Sequence, residues 1–467
     1  MRINLTKLRI VALLAVWQSI VLYVYKTQIH VFEFYMGFSD RPYGAGLFLL
    51  HLGISALPIL WLPTRLDRPS AYALWYLYIA TVASVAQVSY LMNDGGVLDA
   101  LFYPTLMVGG LGVMSVFARQ RLGLPKLIVS PVVLKVLIYA VSTLSVASIG
   151  MTLYYFGDGV SFNLYDSVAI YGKRESAQLV ADQTPIIGYV LALSSGLAMP
   201  FFLALFFRWR AWWMLVVAFA AALATFVFDA TKASLLTPVL MLVLGLVAVR
   251  GNRLRRPPSA AVLIIGACLV GIASIVVFRV TGQYEFTAVS LRRAFVVPVQ
   301  AFKLHIDFFS THPLMMFTDS VLNGVLGARY DLPVPMLLGR EYFSLPDMSV
   351  NAGIVPSAFA HFGVVGVLVV CVLAGLTFSV LDGFKRKGAA IDLFSTIICI
   401  RIAFVWSAQA MHTSLLSSGI APLLLFYLLY QNWTPRPGTS RSLRALFRPR
   451  VLSRTDRGAR AGGHAIG

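Results

Sequence analysis

The chain has 467 residues, of which 58% are hydrophobic and 12% charged, with a mean hydropathy of +0.79 and a formal net charge of +19. Soluble domains carry roughly 25% charged residues, so a globular chain of this length with half that share would not stay in solution. The positive balance does not signal nucleic acid, because its placement along the chain follows membrane topology.

Apolar runs long enough to cross about 30 Å of hydrocarbon recur from end to end. They predict an all-α polytopic membrane protein with about twelve transmembrane helices. The spans fall near 8–27, 43–62, 71–91, 98–118, 130–155, 186–207, 212–228, 235–249, 259–278, 353–381, 389–411 and 414–430. The opening MRINLTKLRI is basic and leads into the first run. Tyr25, Lys26 and Thr27 follow that run where a cleavage site would need small residues, so it reads as an uncleaved first span.

The turns alternate in character. Those at Arg65–Arg68, Arg119–Lys126, Arg208–Arg210, Arg250–Arg256 and Lys385–Lys387 are short and basic. Those at Lys26–Arg41, Met92–Gly96, Phe156–Pro185, Asp229–Ser234, the long segment 279–352 and His412–Thr413 hold most of the acids. The positive-inside rule puts the basic set, and both termini, in the cytoplasm. Residues 1–278 then carry nine spans, 279–352 form a large outer loop with short helices, and 353–432 carry three more spans. Residues 433–467 make a basic cytoplasmic tail with eight arginines between Arg436 and Arg460. Its composition is that of a disordered segment, suited to anionic lipid rather than nucleic acid. Cys268, Cys371 and Cys399 all lie within spans, with no disulfide or metal spacing.

Cations on the outer side run against the topological bias and are therefore informative. Lys173 and Arg174 lie in the 156–185 loop; Arg279, Arg292, Arg293, Lys303, Arg329 and Arg340 lie in the long loop. Arginine binds phosphate through a planar, permanently charged fork. FDATKASLLTPVL (Phe228–Leu240) makes a tight outer turn, in which Asp229 and Lys232 stand three apart and can pair on a helical face, or Lys232 can reach a phosphate. RRAFVVPVQAFKLHIDFF (Arg292–Phe309) reads as a helix that starts or breaks near Pro298. It is apolar enough to lie on the bilayer surface, holding Arg292, Arg293 and His305 near headgroup level. His361 falls about two turns into the span after Gly353, where an ionisable group is costly and often functional. Arg401 stands near the middle of its span and needs a partner or water; Lys135 can snorkel. The chain lacks DxD, GxxxxGK[ST], HExxH and GxSxG. These absences argue against metal-held nucleotide sugars, nucleotide hydrolysis and zinc proteolysis, and no cofactor or metal is expected.

Several segments together resemble Wzy-type O-antigen and oligosaccharide repeat-unit polymerases. FDATKASLL is similar to their outer "sKs-l" turn. RRAFVVPVQAFKLHIDFFSTHP resembles the opening of their large periplasmic loop. GREYFSLPDMSVNAGIVPSAFAHFGVVGVLV (Gly339–Val369) resembles its close, and MHTSLLSSGIAPLLL (Met411–Leu425) the closing helix. The likeness covers roughly 150–430, in order and topology. The family's Arg-x10-Gly spacing is not met, since Pro185 stands eleven after Arg174 and Asn351 eleven after Arg340.

The resemblance implies a GT-C-like glycosyltransferase of the bacterial inner membrane. Such enzymes transfer a glycan from undecaprenyl diphosphate to a new lipid-linked repeat unit on the periplasmic face. Their partners are the lipid-linked donor and acceptor, membrane lipid and a polysaccharide chain-length regulator. An O-antigen ligase and a non-catalytic flippase for lipid-linked oligosaccharide are the alternatives. On this reading Arg174, Arg292, Arg293 and Arg340, with Lys232 behind them, neutralise the departing diphosphate. His361, then Asp347 or His305, are the candidate bases for the acceptor hydroxyl, and Tyr330, Tyr342 and Phe343 are candidates to stack on sugars.

Overall fold

The computed structural model describes residues 5–92, 96–120, 122, 130–156, 167–319, 325, 327–345, 348–384 and 391–431. Among these residues the secondary structure is helical, with no strand and one isolated β-bridge between Arg65 and Ser259. The first group of helices is α1 (Leu5–Met36), α2 (Ala45–Leu60), α3 (Pro69–Leu91), α4 (Val97–Ala118) and α5 (Pro131–Phe156). The second is α6 (Ser167–Gln183), α7 (Ile186–Trp209), α8 (Trp212–Asp229), α9 (Lys232–Arg253) and α10 (Ala261–Thr281). A π-helical stretch, Ala288–Val296, leads into α11 (Val297–Thr311), and α12 (Val334–Phe343) follows. The chain then runs through α13 (Ile354–Gly383), α14 (Leu393–Trp406), α15 (Met411–Leu416) and α16 (Ile420–Gln431).

Among the described residues nine helices are long and apolar enough to cross a membrane; α2, α14 and α16 are shorter apolar helices that fall on the remaining expected spans. The chain is an all-helical, multi-pass membrane protein. The apolar helices sort by exposure. α3 is buried along almost its whole length, and every residue of α14 from Phe394 to Ala403 is buried. A helix hydrophobic on every side belongs in the centre of a bundle. α5 and α10 instead leave Val136, Val146, Leu153, Ile265, Leu269 and Val276 exposed, which suits helices on the lipid-facing rim. α4 and α13 approach closely through small residues: a Cβ on Gly375 would stand 2.5 Å from the Met114 carbonyl oxygen.

One end of the bundle gathers the basic turns. Leu66 N–H donates to Pro258 O at 2.8 Å and Ala260 N–H to Thr64 O at 3.0 Å. Asp382 caps α3 by accepting from Ser70 N at 2.8 Å, with Arg68 3.9 Å from the same carboxylate. Asn252 clamps Ile391 in both directions, at 2.9 and 2.8 Å. These bonds bring the turns around 64–70 and 250–260 together with the ends of α13 and α14.

The opposite end is formed by the described residues between 285 and 353. α11 starts where the sequence places it, with Pro298 in its first turn. It does not lie on the surface. Phe302, His305, Ile306 and Phe308 are buried, and the helix packs against α13, α3, α4 and α12. Its density of aromatic and aliphatic side chains is satisfied by the bundle instead of by lipid. Tyr103 of α4 donates to Asp307, which also pairs with Lys303.

Candidate functional site

Two groupings of polar side chains occupy the end opposite the basic turns. The first surrounds the turn between α8 and α9. Ala230 takes a left-handed conformation (φ 52°) and closes α8, and Thr231 is extended before α9 begins at Lys232. The Asp229 carboxylate accepts from Thr231 N–H at 2.8 Å. Asp229 and Lys232 therefore end one helix and start the next, and do not share a helical face. Arg174 of α6 reaches the Ala230 carbonyl oxygen at 3.5 Å. The charges of Arg293 and Arg174 both bear on the Lys232 ammonium, with Glu285 opposing. Lys173 adds a fourth cation: its Nζ is sealed from solvent with no hydrogen-bond partner among the described residues. Burial pushes Lys173 below the ordinary lysine range, and the Asp229 charge partly offsets this. Four basic side chains, Lys173, Arg174, Lys232 and Arg293, thus gather with two acids, Asp229 and Glu285.

Arg292 and Arg340 stand apart from this grouping. Arg292 pairs with Glu33 of α1 at 2.7 Å, both largely buried. The pair is pinned beside Tyr284, whose hydroxyl is pushed upward by burial and by the Glu33 charge. Arg340 pairs with Asp331 through both terminal nitrogens, at 2.5 and 2.9 Å, and both side chains are exposed. Each lowers the other's cost of charging: Asp331 is held below the usual carboxylate range chiefly by its hydrogen bond from Arg340.

The second grouping is built on His361, the first candidate base expected from the sequence, and adds Asp319, which no motif pointed to. α13 is broken just after His361: Phe362 leaves the helical region and Gly363 takes φ 60°, ψ −148°, a conformation open in practice only to glycine. The break frees two carbonyls. Ala360 O accepts from Met315 N–H at 2.9 Å and His361 O from Met316 N–H at 3.2 Å. To make these bonds, Met316 and Phe317 both adopt left-handed backbone (φ 49° and 62°). Phe317 N–H then donates to His361 Nδ1 at 3.2 Å. A neutral imidazole that accepts at Nδ1 carries its proton at Nε2, and Nε2 lies 3.8 Å from Asp319 Oδ1. That oxygen is buried and has no hydrogen-bond partner among the described residues; its mate Oδ2 accepts from Val334 N–H at 3.4 Å, at the start of α12.

His412 of α15 packs edge-on against His361, ring centroids 5.0 Å apart, with Phe317 against both. Burial pushes His412 below the ordinary histidine range, against the pull of Asp319. Asp319, His361 and His412 offer donor atoms within 4.8 Å of one another, a set of the kind that holds a divalent metal. The Phe317 N–H bond argues against that use of His361, because metal at Nε2 requires that atom to be deprotonated. The arrangement suits proton transfer better: a carboxylate with one oxygen without a partner among the described residues, flanked by two imidazoles, in a partly buried setting.

Of the other expected site residues, His305 is buried in α11 and donates Nδ1–H to Ala301 O at 2.7 Å. Asp347 lies outside the described residues. Tyr330 donates to the Pro313 carbonyl oxygen at 2.7 Å and packs against Phe308 and Phe309, so it serves the loop's own structure. A cavity of about 30 Å³ between α3, α4, α11 and the start of α13 is lined by Met107, Phe302, Gly353, Ile354, Trp406 and their neighbours, and carries no charged group. Comparison with known proteins returned no matching family, no matching curated protein and no matching solved structure.

Proposed function

We propose that this protein is a membrane glycosyltransferase that polymerises polyprenyl-diphosphate-linked oligosaccharide on the non-cytoplasmic face of a bacterial inner membrane. In this reading α1 to α5, α7 to α10, α13, α14 and α16 are the twelve spans, both termini are cytoplasmic, and the segment 279–352 faces the periplasm. The observation that carries the reading is the gathering of four basic side chains around the α8–α9 turn, Lys173, Arg174, Lys232 and Arg293, with Asp229 and Glu285 among them. The donor's diphosphate carries two negative charges and gains a third as the C1–O bond breaks, and preorganised cations aimed at developing charge lower a barrier most. The C1–O bond to the diphosphate breaks as the acceptor hydroxyl oxygen bonds to C1. The hydroxyl proton passes to Asp319, whose free oxygen stands in the grouping held by His361.

The test uses the purified protein with lipid-linked repeat units, followed by product length. Arg174→Ala, Lys232→Ala and Arg293→Ala should each slow polymerisation by roughly two to three decades, the range seen when one such donor is removed. Arg340→Ala, which breaks only an exposed pair, should stay within about twofold of the parent. Unchanged product length in all three cluster variants, with expression intact, would sink the diphosphate clamp. The same assay separates the relatives in chemistry: a ligase needs lipid A-core as acceptor, and a transporter changes nothing covalently.

A further inference from the structure

α14 is buried on every side, and near its middle it carries Arg401, 8% exposed. Three other largely buried cations have a carboxylate of their own: Arg68 with Asp382, Arg292 with Glu33, Lys303 with Asp307. Arg401 has none. Its Nε is sealed from solvent and without a partner, and no hydrogen bond, ion pair or ring contact engages its guanidinium among the described residues. The acids at the basic ends of α13 and α14 are committed: Asp392 caps α14 by accepting from Ser395 N–H at 3.1 Å, and Asp382 of α13 caps α3.

Helix register shows what surrounds it. Ile397, one turn before Arg401, meets α9 where a Cβ on Gly245 would stand 2.9 Å from Ile397 Cδ1 and 2.3 Å from Phe207 Cζ of α7. α14 is therefore clasped by α7 and α9 at glycine distance, with α3 on another side. A guanidinium in that position cannot snorkel to an interface, since no face of its helix reaches lipid. Of the guanidinium nitrogens only Nε is sealed from solvent; a buried cation without a carboxylate is costly, and it persists where an anion meets it. A lipid headgroup cannot enter a helix packed on all sides, which leaves a small inorganic anion.

We infer that Arg401 is an interior anion site that takes a chloride-sized ion, held by the terminal nitrogens of the guanidinium fork. It is separate from the cations at the α8–α9 turn and does not depend on the glycosyl-transfer reading. Binding to the folded state alone raises the melting temperature with ligand concentration. The purified full chain in neutral detergent should therefore melt progressively higher as sodium chloride replaces sodium gluconate at constant ionic strength. Arg401→Met should abolish that chloride-specific rise, and Lys232→Met should keep it. Equal melting of the parent in the two salts would overturn the inference. So would a chloride rise that survives in Arg401→Met, or one that disappears in Lys232→Met. Should Arg401→Met fail to accumulate, Arg401→Lys decides. It keeps the charge and loses the fork, so the chloride midpoint should move up by about tenfold, and an unmoved midpoint overturns the site.

Discussion

His305 shows how one buried titratable group writes a pH dependence into the fold. It is 1% exposed, and burial lowers it from the ordinary 6.5 to about 4 although its Nδ1–H bond to Ala301 O pulls the other way. Above 6.5 the ring is neutral in both folded and unfolded chains and costs nothing. As pH falls from 6.5 to about 4 the unfolded chain takes up a proton that the folded chain refuses, and stability drops. Full loss is on the order of 3 kcal/mol, at about 1.4 kcal/mol per pH unit. His305→Gln should flatten the melting-temperature profile between pH 4 and 6.5 relative to the parent; an unchanged slope would mean that another group sets it. Asp319 lends itself to a different measurement. Asp319→Asn keeps the volume and the bond from Val334 N–H but removes the base. Polymerisation should fall by roughly two to four decades, the usual range for a general base, while the melting temperature stays close to the parent's. Neither role was visible along the chain. His305 and His361 are both histidines in apolar surroundings, and only their neighbours give one a carbonyl and the other a backbone N–H. Arg292 and Arg293 are adjacent, yet Glu33 takes the first and the Lys232 grouping the second.

Among elements, α13 carries two features with opposite demands. At Gly363 the helix must break, and at Gly375 it must approach α4 closely. Gly375→Val would press against the Met114 carbonyl and Phe117 Cβ, backbone-anchored atoms that cannot swing away. The expected cost is about 1–3 kcal/mol, the range for overpacking, read as a lower melting temperature in detergent with secondary structure retained; no shift would show that α4 yields at this contact. The sequence reading located α13, its entry after Gly353 and the start of α11 at Pro298, because proline, glycine and apolar periodicity act locally. It also took α11 for a surface helix. Amphipathic character is the same whether the apolar face meets lipid or other helices, and the choice was made by α13, α3 and α4 packing over it.

For the whole molecule, sidedness is the property with the most direct test. Cys268, Cys371 and Cys399 are buried, so thiol labelling of the parent should be low and single introduced cysteines can be read against it. A cysteine replacing Arg255, in the basic turns, should react only after the membrane is permeabilised. One replacing Arg329, in the long segment, should react in intact cells; labelling of both from the same side would overturn the topology. What the sequence by itself determined is the class of the molecule, the positions of its apolar helices and the pairing of basic against acidic turns. Hydropathy and charge bias are sums over many residues, and no tertiary contact is needed to read them. Only the tertiary structure decided which ionisable groups have partners. Asp319 meets His361 across 42 residues because a broken helix and two left-handed residues exchange backbone hydrogen bonds, and Arg401 is left without a carboxylate because α14 fell at the centre of the bundle. Those outcomes depend on which helices touch, and a short-range ionic contact has no signature until the chain has folded around it.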